Sequence, residues 1–187
     1  MKVLVAYATK HGSTKGIADF IGEKIRERGL QVDVLEVGEV KNVGSYDAFV
    51  LGSAVYLGHW MKEAKQFVSR NKAILNTRPV WLFSSGPTGN ARKDAKGRDL
   101  LDPSVSGPFE LAELMEELHH VRDHHVFFGV IEAKDMGFFT RQLLRSSTIR
   151  EAIPFGDFRD WREIEAWSLG IASSLEIPNE AVTQESL

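Results

Sequence analysis

Cysteine is absent from the 187 residues of the chain, which excludes disulfides, thiol catalysis, iron–sulfur clusters and Cys-based zinc sites. Long apolar runs are missing too: none reaches the roughly 18–20 residues that a membrane-spanning helix needs. The opening stretch Met1-Lys2-Val3-Leu4-Val5-Ala6 is short for a secretory leader and carries no small-residue cleavage pattern, so the chain reads as cytoplasmic. Excess positive charge is lacking as well. A net charge of −3 and a pI near 6.1 argue against a nucleic-acid binder built on phosphate contacts. What is present looks globular, with 43% hydrophobic and 26% charged residues. That suits one domain, placed at residues 1–175, with 176–187 as a flexible tail. Charge is unevenly spread: residues 92–99 carry +2 and residues 134–150 carry +3, leaving −8 for the rest. Two basic segments on an acidic body suit an anionic partner or ordinary solvated loops.

Apolar periodicity alternates between two kinds of element. Val3-Leu4-Val5-Ala6-Tyr7 reads as a buried strand. Residues 14–28 place Ile17, Ala18, Ile21 and Ile25 at helical spacing, with Gly29 as a stop. Residues 31–37 read as a second strand and 48–53 as a third, covered on both faces. A helix follows over 61–75, a fourth strand at 80–83, a helix over 109–119 and a fifth strand at 125–131. The last helix carries Trp161, Ile164, Trp167, Ile171 and Leu175 on one face, with Asp160 and Glu163 as a capping-box variant. Five strands alternating with helices predict an α/β, three-layer, doubly wound parallel sheet with helices on both faces. Ligands of such sheets bind beyond the carboxyl ends of the strands. The residues after strands one, three and four are therefore the ones to read.

After the first strand stand Thr9, Lys10, His11, Gly12, Ser13 and Thr14. Hydroxyls, a glycine and the start of a helix converge there, which suits a terminal phosphate. Neither the Walker A spacing nor G-x-G-x-x-G is present. After the third strand come Ser53, Ala54, Val55, Tyr56, Leu57 and Gly58, then His59 and Trp60; after the fourth come Ser84, Ser85, Gly86, Pro87, Thr88 and Gly89. Tyr56 or Trp60 is placed to stack on a planar ligand, Trp60 equally to begin a helix in the core. Four histidines, His119, His120, His124 and His125, tempt a metal reading. They straddle a helix end and a strand start, where turn polarity and the helix terminus explain them, so no metal site is assigned. No spacing supports a nucleophile–base arrangement, and no catalytic residue is named.

The T-x-x-G-x-T loop at Thr9–Thr14, with the two later loops in register, resembles the flavodoxin-like family through about residue 175. The resemblance implies a strand order of 2-1-3-4-5 and FMN as cofactor. The first loop would hold its phosphate, and residues 53–58 and 84–89 its ring. A deazaflavin with the same phosphate stays open. Two departures separate the chain from the electron carriers of that family. The third loop offers no aromatic for the second ring face, and the segments after strands four and five are basic rather than acidic. Within the group the chain is similar to the short, menaquinone-dependent protoporphyrinogen IX dehydrogenases, in size, loop and the Asp160-Trp161 start of the last helix. That likeness implies an oxidoreductase with a small organic substrate and a quinone-type acceptor, and no nucleic-acid partner. The aromatic-basic stretch 134–150 (Phe138, Phe139, Arg141, Arg145) would then seat a porphyrin, touch a membrane surface peripherally, or simply pack on the domain. The alternative is a flavodoxin that shuttles single electrons between proteins. Residues 90–107 are too long for a plain connection and are expected to form a lid or to be disordered.

Overall fold

A computed structural model describes residues 1–86, 91–132 and 155–176. β1 (Lys2–Ala8) runs parallel to β2 (Gln31–Glu36) on one side and β3 (Ala48–Tyr56) on the other; β5 (Val80–Ser85) and β6 (Val121–Phe127) extend the sheet in parallel. The order is β2-β1-β3-β5-β6, with the two-residue β4 (His59–Trp60) paired antiparallel to β3. Leaving β4 aside, this is the expected order 2-1-3-4-5.

The period of two along β1 decides the layers. Val3, Val5 and Tyr7 belong to one core cluster, with Ile17, Ile21 and Ile25 of α1 (Ser13–Glu27) and Ile164, Ile171 and Leu175 of α5 (Trp161–Glu176). Leu4, Ala6 and Ala8 belong to the other, with Ala64, Phe67, Val68 and Leu75 of α2 (Lys62–Leu75) and Leu114 of α4 (Leu111–Glu117). Val3 to Ala6 are wholly inaccessible, as a central strand covered twice must be. A three-layer sandwich results.

Two expectations need correction, and one that offered a lid or disorder is narrowed. The fifth strand begins at Val121 and ends at Phe127, earlier than the apolar run suggested. It is an edge strand that opens on the exposed charges Arg122 and Asp123, and such a start hides from a search for continuous apolarity. Val130 and Ile131 instead form β7, antiparallel to β8 (Gly156–Asp157). Next, the described part of the 90–107 segment is built, not disordered. Lys93 bridges to Asp99, and Asp94 accepts from the backbone N–H groups of Lys96 and Arg98 at 2.8 and 2.9 Å. Asp102 caps α3 (Pro103–Ser106). Arg92 and Arg98 pair with Asp99 and Asp94, so much of the segment's positive charge is spent internally. Finally, Asp160 does cap α5, accepting from the N–H groups of Arg162 and Glu163 at 3.0 and 3.2 Å. The Glu163 carboxylate turns instead toward His125 at 3.4 Å and Arg92 at 3.8 Å. Trp161 stands off the buried stripe, with its ring edge against Phe20. No described helix is long and apolar enough to cross a membrane. Residues 134–150 and the tail beyond Glu176 lie outside the described residues.

Candidate functional site

At the carboxyl ends of β1, β3, β5 and β6 lies a cavity of about 300 Å³, where an open α/β sheet is expected to bind its ligand. From the first loop it is lined by Thr9, His11, Ser13 and Thr14; from the second by Ala54, Val55 and Tyr56; from the third by Ser85 and Gly86. Nine of the residues singled out in the sequence thus converge on one space.

The first loop turns because Gly12 adopts φ 90°, the left-handed region that glycine alone enters without strain, and so opens α1. Thr9 Oγ1 accepts the Gly12 N–H at 3.0 Å and closes the loop. No acidic residue stands in the first turn of α1, so its positive end is uncompensated. Thr14 is fully inaccessible, yet its Oγ1 has no hydrogen-bond partner among the described residues. A buried hydroxyl left without a partner costs about 1–3 kcal/mol. One on the wall of a cavity at a helix N-terminus is the arrangement an anion completes. Lys10 and Gly12 shape the loop without lining the cavity; Lys10 Nζ lies 5.9 Å from the Tyr56 ring centre.

The second and third loops divide into wall and foundation. Ser53 and Ser84 are buried and do not line the cavity. Ser53 Oγ accepts the Met61 N–H at 3.0 Å and donates to the Ala54 carbonyl. Ser84 Oγ accepts the Trp60 Nε1–H and meets His124 Nε2, both at 2.8 Å. Trp60 is therefore a core residue, 2% exposed, and does not stack on a ligand; Tyr56 does line the cavity. His124, read from sequence as turn polarity, sits inside β6. Burial drives its pKa down to about 4, only partly offset by Asp123. Its Nδ1 has no partner. Among the described residues no group of three or more His, Asp or Glu is placed to hold a metal ion. Pro87, Thr88 and Gly89 lie outside the described residues.

Leu57 and Gly58 form the two-residue turn between β3 and β4, both with positive φ (52° and 80°), the geometry of a type I′ hairpin. Leu57 is 95% exposed. A Cβ on Gly58 would fall 2.4 Å from the Phe109 ring, so that exposed ring would have to move aside. Glu110, beside Phe109, is bound by Lys65 Nζ at 2.5 Å and His59 Nδ1 at 2.7 Å. Burial alone would raise its pKa, but these two partners outweigh that and hold it near about 2. Leucine is a poor residue for a left-handed position, whereas Asn-Gly is the favoured pair. Leu57→Asn is expected to stabilise the fold by about 1 kcal/mol, read as a rise in thermal midpoint. An unchanged or lower midpoint would show that the Leu57 side chain makes contacts worth more than the turn strain.

Gly129, Val130 and Ile131 complete the cavity wall and were missed in the sequence, where they passed as the end of a strand. A Cβ on Gly129 would meet the hydroxyls of Ser85 and Ser13 at 3.4 and 3.6 Å. The signal was a glycine two residues past Phe127, the strand's last buried residue.

The sequence profile of the flavodoxin domain family matches residues 4–151, most of the chain. The chain belongs to the flavodoxin domain family. FMN is the cofactor that membership implies, and the unpartnered Thr14 hydroxyl at the head of α1 fits its phosphate. An archaeal flavodoxin superposes with TM-score 0.60 over 95% of this chain and 100% of its own, at 18% identity. Flavodoxin 2 from Bacillus cereus gives 0.57 over 93% and 99%, at 19% identity. Protoporphyrinogen IX dehydrogenase [quinone] from Escherichia coli K12 is 30% identical over 86 residues, 45% of this chain and 48% of that protein. The match thus spans about half the length of that relative.

Proposed function

We propose that the chain is an FMN-dependent oxidoreductase that passes reducing equivalents from an organic substrate to a quinone-type acceptor. By likeness to the Escherichia coli relative, the substrate is protoporphyrinogen IX. The observation that carries the reading is the makeup of the cavity wall. Among its described residues Tyr56 is the single Phe, Tyr or Trp, and Ala54, Ser85, Gly86 and Gly129 are small. A planar ring held by Tyr56 on one face is left accessible to a second planar molecule on the other. FMN supplies the hydride-accepting ring when bound. The chain's own work is to hold the phosphate through Thr9, Ser13, Thr14 and the first N–H groups of α1, to orient the ring against Tyr56, and to leave room beside it. The alternative, a carrier of single electrons between proteins, is favoured by the near-complete overlap with the archaeal flavodoxin.

The test uses the purified full-length chain reconstituted with FMN and kept anaerobic. Protoporphyrinogen IX is added with a soluble naphthoquinone, and porphyrin fluorescence is followed. Porphyrin release that depends on both flavin and quinone is expected. A flavin that porphyrinogen leaves oxidised, but that a one-electron donor reduces in two resolved steps, overturns the enzyme reading in favour of the carrier. The spectrum of cofactor released from the chain as expressed separates FMN from a deazaflavin.

A further inference from the structure

Arg159 stands outside the cavity, on the segment between β8 and α5, yet reaches the head of α1 across 146 residues of sequence. Its Nη1 donates to the Ser13 carbonyl at 3.5 Å. Three constraints hold it there. The Asp157 carboxylate takes Nε at 2.8 Å and also binds Nη2. The backbone N–H of Arg159 donates to the same carboxylate at 3.1 Å. The guanidinium also stacks 4.4 Å from the Trp161 ring centre. Its side chain is only 16% exposed. Gly16, one turn into α1, makes the approach possible: a Cβ there would lie 2.5 Å from Nη1.

A second tie acts on the same turn. The Ser13 hydroxyl accepts the Val130 N–H at 3.0 Å, which leaves its proton for another acceptor. Phe158, next to Arg159, donates its N–H to the Gly129 carbonyl at 3.1 Å. The β6–β7 connection, the β8–α5 junction and the first turn of α1 are thereby joined around Ser13 and Thr14. Thr14 holds the fully buried, unpartnered hydroxyl on the cavity wall.

We propose that Arg159 is a positioning residue for the phosphate of the cofactor, fixing the first turn of α1 so that Ser13, Thr14 and the helix N–H groups converge on it. The assignment rests on the proposed FMN function and is separable from it. A residue that acts through the phosphate discriminates between FMN and riboflavin, which share the ring and differ in the phosphate.

The experiment titrates the full-length apo-protein with each flavin, following flavin fluorescence. The wild type is expected to bind FMN more tightly than riboflavin. Arg159→Ala should raise the FMN dissociation constant about tenfold while leaving that of riboflavin unchanged. Gly16→Ala gives an independent arm. The guanidinium is the one group within 4 Å of the new methyl among the described residues, and alanine is the better helix former. Gly16→Ala should therefore fold at least as well as the wild type, displace Arg159 and weaken FMN selectively. Equal weakening of both flavins by Arg159→Ala, or a preference for FMN that survives both substitutions, overturns the role given to Arg159 and leaves the function standing. A wild type that binds neither flavin overturns the function itself.

Discussion

Between pH 7 and pH 5 the chain is expected to lose about 2 kcal/mol of folding stability through His124 alone. The residue is 6% exposed, and burial lowers its pKa to about 4, against about 6.5 in an unfolded chain. Between these two values the unfolded state binds a proton that the folded state refuses. Stability therefore rises with pH through this window and falls as the solution is acidified. The contribution is complete only below pH 4, where both states are protonated. Carboxylates act lower. Glu110, held near about 2, stabilises the fold above the unfolded carboxylate range, near 4.3, and that gain is lost only below it. Urea denaturation at pH 7 and pH 5 isolates the histidine. His124→Gln keeps an amide within reach of Ser84 and carries no titrating proton, so its stability should change little between the two pH values. A wild type as stable at pH 5 as at pH 7 would mean that His124 takes its proton in the folded state and that its surroundings, Ser84 and Asp123 among them, accommodate the charge.

Replacing Thr14 by valine is expected to weaken FMN binding by about 1–3 kcal/mol, roughly five- to 150-fold in dissociation constant. The side chains are nearly the same shape, and the Thr14 Oγ1 makes no hydrogen bond within the described protein. The hydroxyl is thus retained at a cost in the apo state. Removing it should leave the apo-protein as stable as the wild type or up to about 2 kcal/mol more so. Opposite signs for folding and for flavin affinity are the mark of a group kept for its ligand. Calorimetric titration with FMN and thermal unfolding of the apo-protein measure the two halves. An unchanged FMN affinity would remove Thr14 from the phosphate site, and a destabilised apo-protein would show that the hydroxyl has an internal partner after all.

The fold was legible in the sequence, and so were nine of the residues that line the cavity. Apolar runs in β1, β3 and β5 are so continuous that only a doubly covered parallel sheet accommodates them, and Ile17, Ala18, Ile21 and Ile25 bury as their spacing requires. The loop from Thr9 to Thr14 followed from local chemistry, because a glycine turn before a helix is a property of neighbouring residues. Tertiary structure decided the division of labour within the loops. Ser53 and Ser85 look alike in sequence, but the first accepts the Met61 N–H in the core while the second faces the cavity. Trp60 and Tyr56 are both aromatics after β3, and the two-residue turn at Leu57-Gly58 sends one into the core and leaves the other on the wall. His124 became a buried neutral base only because β6 pairs beside β5 and brings it against Ser84. Gly129 reaches the cavity wall, and Arg159 the head of α1, through approaches to Ser13 that span more than a hundred residues. No local pattern carries such contacts, since burial and long-range pairing are set by which elements become neighbours in the folded sheet.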